Sequence, residues 1–302
     1  MTGLAPHADK TEHGYVDMEA HESVNGGLHN ADLPVKSRSY TIKSPWLREL
    51  LAEFVAVFVM MSFGMGATAQ AILSSEVYGD FTQIILCWGI GVLFGIHFAG
   101  GVSGSHLNPA VTTTLALFGM FPWKKVPGYV AAQTLGAYVA TLIVYIMYRP
   151  LLNVVDPDRL TSHTIFATYP NEYVPNFTAF LTEVFGTALL LAGIFAVLDP
   201  HNRPASPFSA PTAVALLVVG VGMAFGVNTG CAINPARDFG PRLFMLCAGW
   251  GTRVFSLNHY YFWVPIVGPT LGGAIGGGVY FGLIGHHHPG KTSTGHQGDH
   301  RF

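Results

Sequence analysis

Two identical tripeptides stand out, Asn108-Pro109-Ala110 and Asn234-Pro235-Ala236, in matching surroundings: "SGSHLNPAVTTT" (103–114) and "TGCAINPARDFG" (229–240). Asn is a favoured N-cap, and Pro suits the first helical position, where an N–H would have no partner. Each tripeptide therefore predicts a helix start, one running from Asn108 to about Phe118 and the other from Asn234 to about Leu246. The Asn amides can donate hydrogen bonds to a neutral oxygen. Arg237 follows the second tripeptide directly, at the end of a stretch (Pro204–Ala236) without acid, Lys or Arg. An arginine set among such segments is costly and marks a solute path. Asp238 and Arg242 lie four apart, acid first, the favourable order for a helical pair, and Asp238 suits the positive helix end. Glu53 and Glu183 are lone acids in the apolar stretches Leu50–Leu73 and Phe177–Leu198. The chemistry on offer is hydrogen bonding to a neutral solute. No nucleophile–base pair or metal-ligand spacing occurs in the polar segments, so an enzyme is the least favoured class, and no metal or cofactor is expected. Cys87, Cys231 and Cys247 all lie in apolar segments and imply no disulfide framework.

The elements that must carry these groups are oily. Half the residues are hydrophobic and 11% are charged, against about a quarter charged in soluble domains. A spanning helix needs about 20 mostly apolar residues, and six such spans are expected near 49–72, 82–101, 126–148, 177–198, 210–227 and 260–284. A soluble protein with buried helices would need polar faces that these stretches lack. The fold class is all-α integral membrane. Lys36, Arg38, Lys43 and Arg48 precede the first span, Lys124 and Lys125 follow the second, and Arg203 follows the fourth. By the positive-inside rule these places and both termini are cytoplasmic, although Arg149 and Arg159 fall in the third, opposite loop. Residues 1–45 read as a mobile cytoplasmic segment, 46–286 as the membrane domain and 287–302 as a cytoplasmic tail.

The membrane domain repeats itself, with halves at about 46–150 and 175–286. "LAEFVAVF" (51–58) matches "LTEVFGTA" (181–188), and "AQTLGAYV" in span three matches "GPTLGGAI" in span six. Three spans per half force the second copy to enter upside down, and such inverted repeats place the working site near the midplane on broken helices. Each Asn-Pro-Ala helix is about 10 residues, or about 15 Å, half of the roughly 30 Å hydrocarbon core. Two half-helices meeting at their N-termini would then complete one span, with the extended "GVSGSHL" and "GVNTGCAI" leading in.

With these motifs the chain resembles the aquaporin family, specifically its glycerol-conducting branch, the aquaglyceroporins, over about Leu50 to Gly285. "GVSGSHLNPAVT", "NPARDFGPRLF" and "IFATYP" (165–170) carry the likeness. The resemblance implies a passive channel for glycerol and water that excludes protons and ions. It also implies a homotetramer with one pore per protomer in the cell membrane, among lipid and with no nucleic-acid partner. A narrow ring of Trp88, Gly222, Cys231 and Arg237 is implied on the extracellular side. There Trp88 would meet the carbon edge of a polyol, Arg237 its hydroxyls, and Gly222 would widen the opening; a plain packing role for Trp88 is the alternative. Cys231 departs from the aromatic usual at its position and is the expected target of mercurials. Glycerol-branch markers are Asp238, Arg242, Pro265, Ile266 and Tyr148, the last ending span three. Glu53 and Glu183 are implied to accept hydrogen bonds from the re-entrant loops, with a proton relay as the general alternative. His106, beside the first motif, and His97, in span two, are candidate proton-sensitive groups, with packing the plainer role for His106. A water-selective channel and an ion-coupled transporter of small polyols stand as rival functions. "NFT" at Asn176 fits the glycosylation pattern.

Overall fold

The structure is a computed structural model, and it describes residues 41–289; the N-terminal segment and the tail expected above lie mostly outside that range. Ser44 and Pro45 open the first helix, α1 (Pro45–Leu73), with Leu47 N donating to Ser44 Oγ at 3.3 Å. Asp80 caps α2 (Phe81–Ser103). A short helix, α3 (Pro109–Leu117), precedes α4 (Val126–Val155). The second half repeats the order with α5 (Asn176–Leu198), α6 (Ala210–Thr229) and the short α7 (Pro235–Cys247). It ends with α8 (Arg253–Tyr260), which leaves helical backbone at Leu257, Asn258 and His259, and with α9 (Val264–Tyr280), continued by a π-helical turn over Phe281–Gly285. Among the described residues, six segments are long and apolar enough to cross a membrane, as the sequence predicts.

Span three overruns its expected end. α4 continues past Tyr148 through Arg149 and Pro150 to Val155. Tyr148 is therefore a half-buried residue inside the helix and not its terminus. Arg149, expected in the third loop, lies instead in the helix and is exposed, where a long cationic side chain can reach polar surroundings.

The halves are built alike. α1 crosses α2 at Gly91 and Gly95, where an added Cβ would strike the backbone of Met60 and Ala56. α5 crosses α9 at Gly272 and Gly276, against the backbone of Val184 and Ala188. Close helix approach through small residues is how helices pack where lipid removes any hydrophobic drive. α2 and α6 each stop at a left-handed glycine, Gly104 (φ 85°) and Gly230 (φ 78°), four residues before the capping Asn.

Candidate functional site

Each capping Asn does two jobs. The Asn108 side-chain oxygen accepts from Ala110 N at 2.8 Å, and the Asn234 oxygen accepts from Ala236 N at 3.0 Å and Arg237 N at 3.2 Å. The amide nitrogens reach across: Asn108 Nδ2 donates to Ile233 O at 2.8 Å, and Asn234 Nδ2 donates to Leu107 O at 2.9 Å. The two half-helices thus meet tip to tip.

The loops that deliver these caps adopt unusual backbone. Ser105 and Leu107 in one copy, Cys231 and Ile233 in the other, have positive φ between 41° and 55°. A β-branched residue such as Ile233 is strained in that region. Two buried acids hold the strained turns at equivalent points. Glu53 accepts from His106 N and Leu107 N, both at 2.9 Å. Glu183 accepts from Ala232 N at 3.0 Å and Ile233 N at 2.7 Å. Glu53 also takes Ser103 Oγ at 2.6 Å and Gln133 Nε2 at 2.8 Å.

Beyond the tips the copies diverge. Arg237 is buried, and its guanidinium carbon stands 4.2 Å from the Trp88 ring centroid. Its Nη1 donates to Phe166 O at 3.0 Å, the only acceptor it has among the described residues. Phe166 belongs to the "IFATYP" segment, which is fixed by a fully buried ion pair. Asp238 accepts from Thr168 N and Thr168 Oγ1, both at 2.7 Å, and from Arg242 Nε at 2.5 Å. Arg242 donates in turn to Thr168 O at 2.6 Å and to Val254 O, and it lies 4.4 Å from the Tyr169 ring.

The remaining candidates fall in different places. Gly222 is buried at the contact of α6 with α2, where an added Cβ would meet Ile85 at 3.0 Å, one turn from Trp88. Cys231 is half-buried and its N–H donates to Thr229 Oγ1 at 3.2 Å. Pro265 is buried in the first turn of α9, with Ile266 half-buried beside it. His106 packs against Phe121 (4.7 Å) and Tyr129 (5.0 Å), and its Nδ1 lies 3.1 Å from Thr112 Oγ1. His97 is not brought to His106; it is exposed on the face of α2 that carries Ile90 and Phe94. Asn176 donates from Nδ2 to Asn258 O and His259 O, both at 3.0 Å, so its amide holds a left-handed turn. Gln133, Thr168 and the carbonyl of Phe166 were missed as functional groups; the repeat segment "AQTLGAYV" contains Gln133, and the "IFATYP" likeness contains the other two.

Six spans in two inverted halves, joined by half-helices that touch at capped tips, define a multi-pass membrane protein of the broken-helix class. The chain belongs to the major intrinsic protein family, which it matches over residues 40–280, and stands with its aquaglyceroporins. It is 42% identical over 272 residues to aquaporin-10 of Milnesium tardigradum, covering 84% of this chain and 66% of that protein. It is 42% identical over 243 residues to aquaglyceroporin-2 of Rhizophagus irregularis, covering 78% of this chain and 77% of the other. The X-ray structure of the aquaglyceroporin from Plasmodium falciparum superposes with a TM-score of 0.73 at 36% identity, over 79% of this chain and 97% of that one.

Proposed function

We propose that the chain is a passive channel for glycerol and water, with Trp88, Gly222, Cys231 and Arg237 as its narrowest ring. One observation carries the reading: a buried guanidinium with spare N–H donors faces an indole. A polyol has a hydroxyl edge and a carbon edge, and this pair offers a donor to the first and an apolar face to the second. The Asn108 and Asn234 amides each keep one N–H for a passing oxygen. The half-helix N-termini behind them add roughly half a positive charge each. That field repels cations and turns the hydrogens of a central water outward, which breaks a proton wire. The conducting unit is residues 46–286, in halves 46–150 and 175–286.

The cation distribution supports cytoplasmic termini, with Lys125 paired to Glu49 at 2.7 Å on that side and Arg237 toward the outside. Apolar residues exposed on α1 and α2, such as Phe63 and Phe94, suit lipid or a neighbouring protomer, and a plasma-membrane homotetramer is the proposed assembly. His106, among Glu53, Thr112, Tyr129 and Phe121, is the proposed proton-sensitive group. A flat glycerol permeability between about pH 5.5 and 7.5 would reduce it to a brace. The reading itself is tested by stopped-flow swelling of proteoliposomes under water and then glycerol gradients. Flux linear in glycerol with a low activation energy is expected. Saturation with ion coupling would make the protein a transporter, and water flux without glycerol flux a water channel.

A further inference from the structure

Trp88 is held on its outer side by a residue that no motif contains. An ideal Cβ built on Gly64 of α1 would stand closer than 3.0 Å to Cδ2, Cε2 and Cε3 of Trp88. Cδ2 is bonded to both of the other atoms, so such a carbon would press on the ring face near the fused bond and not on a movable tip. Gly64 is buried within α1, and its carbonyl accepts from Thr68 Oγ1 at 2.8 Å. The indole therefore touches bare backbone at Gly64 while also meeting the Arg237 guanidinium, 4.2 Å from its centroid.

Resting on the reading of Trp88 and Arg237 as the solute ring, we infer that Gly64 is a specificity-determining residue: its missing side chain is the seat in which the Trp88 indole rests against α1 while it stacks on Arg237. Restoring an ordinary carbon separation of about 3.5 Å after adding one methyl requires the ring to retreat by roughly 1 Å. The ring then leaves α1 against the Arg237 guanidinium that already touches it, so the stacked pair is displaced together into the opening it lines. Selectivity in pores of this kind follows the diameter and the lining donors. A loss of that size bars a polyol while water still fits.

Gly66, two residues further along α1, is the natural control, because an added Cβ there meets nothing within 4 Å. In reconstituted full-length protein, Gly64→Ala is expected to lower glycerol permeability about tenfold or more while water falls less than about threefold. Gly66→Ala should leave both unchanged. Adding Trp88→Val to Gly64→Ala, which removes every ring atom that the methyl meets, should restore glycerol. If Gly64→Ala fails to reach the membrane, the same double variant decides, since relief of the clash must recover both folding and glycerol flux. An unchanged glycerol-to-water ratio in Gly64→Ala, or a double variant that recovers nothing, overturns the inference. A wild-type protein that passes no glycerol instead refutes the channel reading on which it rests.

Discussion

Asn108 and Asn234 hold one another's approach through backbone: each side-chain amide donates to the carbonyl just before the other, to Ile233 O at 2.8 Å and to Leu107 O at 2.9 Å. Each Asn oxygen caps its own half-helix while its nitrogen locks the opposite one, so removing one side chain disturbs both copies. Asn108→Asp preserves the cap acceptor but sets a negative oxygen against the Ile233 carbonyl. We expect lower thermal stability in detergent, lower glycerol and water flux, and a measurable cation or proton leak, because the added charge offsets the positive helix ends. Asn108→Ala also loses the cap, at a cost of about 0.5–2 kcal/mol. An Asn108→Asp protein as stable and as proton-tight as the wild type would deny the amide its bridging role.

Asp238 acts on Arg237 at one remove. It fixes Thr168, and the same segment presents the Phe166 carbonyl to the Arg237 guanidinium. Asp238 and Arg242 are both fully buried, and breaking a buried pair from one side leaves an uncompensated charge, at a cost of about 3–5 kcal/mol. Asp238→Asn should therefore lower the melting temperature markedly. The protein that survives should discriminate less between glycerol and larger polyols, because Arg237 loses its fixed acceptor. Thermal unfolding and a polyol permeability series check this, and unchanged values in both would show that the clasp does not govern the ring.

The copies differ at the residues of the proposed solute ring and its support. Four residues after each Asn stand Thr112 and Asp238, three after stand Val111 and Arg237, and eight after stand Ala116 and Arg242. The half-helices themselves were legible because a cap followed by Pro is a local signal. The buried acids were visible as lone charges in apolar runs, but their partners lie about fifty residues away and came only from the likeness. What stayed hidden was carried by groups without side-chain signature. The carbonyl of Phe166 meets Arg237 across 71 residues, and Gly64 matters through an atom it lacks. The end of α4 was misplaced for the opposite reason. Arg149 was placed in the third loop by its charge, yet from within the helix its exposed side chain can reach polar surroundings.

Cys231 supplies a chemical probe of the proposed ring. It is half-buried in a strained turn three residues before Asn234, whereas Cys247 is exposed at the far end of α7. Mercurials should block water and glycerol flux in the wild type. Cys231→Ala should be resistant, and Cys247→Ala should remain as sensitive as the parent. Equal block of the Cys231→Ala protein would place the reactive thiol elsewhere.

The loop that reaches Arg237 begins at Asp156, just beyond α4, and its carboxylate should make the loop's stability depend on acid. Its oxygens accept from Leu160 N at 2.8 Å, Thr161 N at 3.0 Å and Ser162 N at 2.7 Å. Burial pushes the carboxyl up, but hydrogen bonds from Ser162, Leu160 and Thr161 outweigh it and bring the group down to about 2. A folded value below the unfolded one means stability that is complete above about pH 4 and lost as pH falls through about 2. Asp156→Asn should then cost about 1–2 kcal/mol at neutral pH, through weaker acceptance of those N–H groups. The gap between variant and wild type should narrow steadily as pH drops from 4 toward 2, since protonation removes the same charge from the native residue. Thermal unfolding in detergent across that range reads the gap directly. A gap that stays constant with pH would mean the carboxylate's charge contributes nothing to holding the loop.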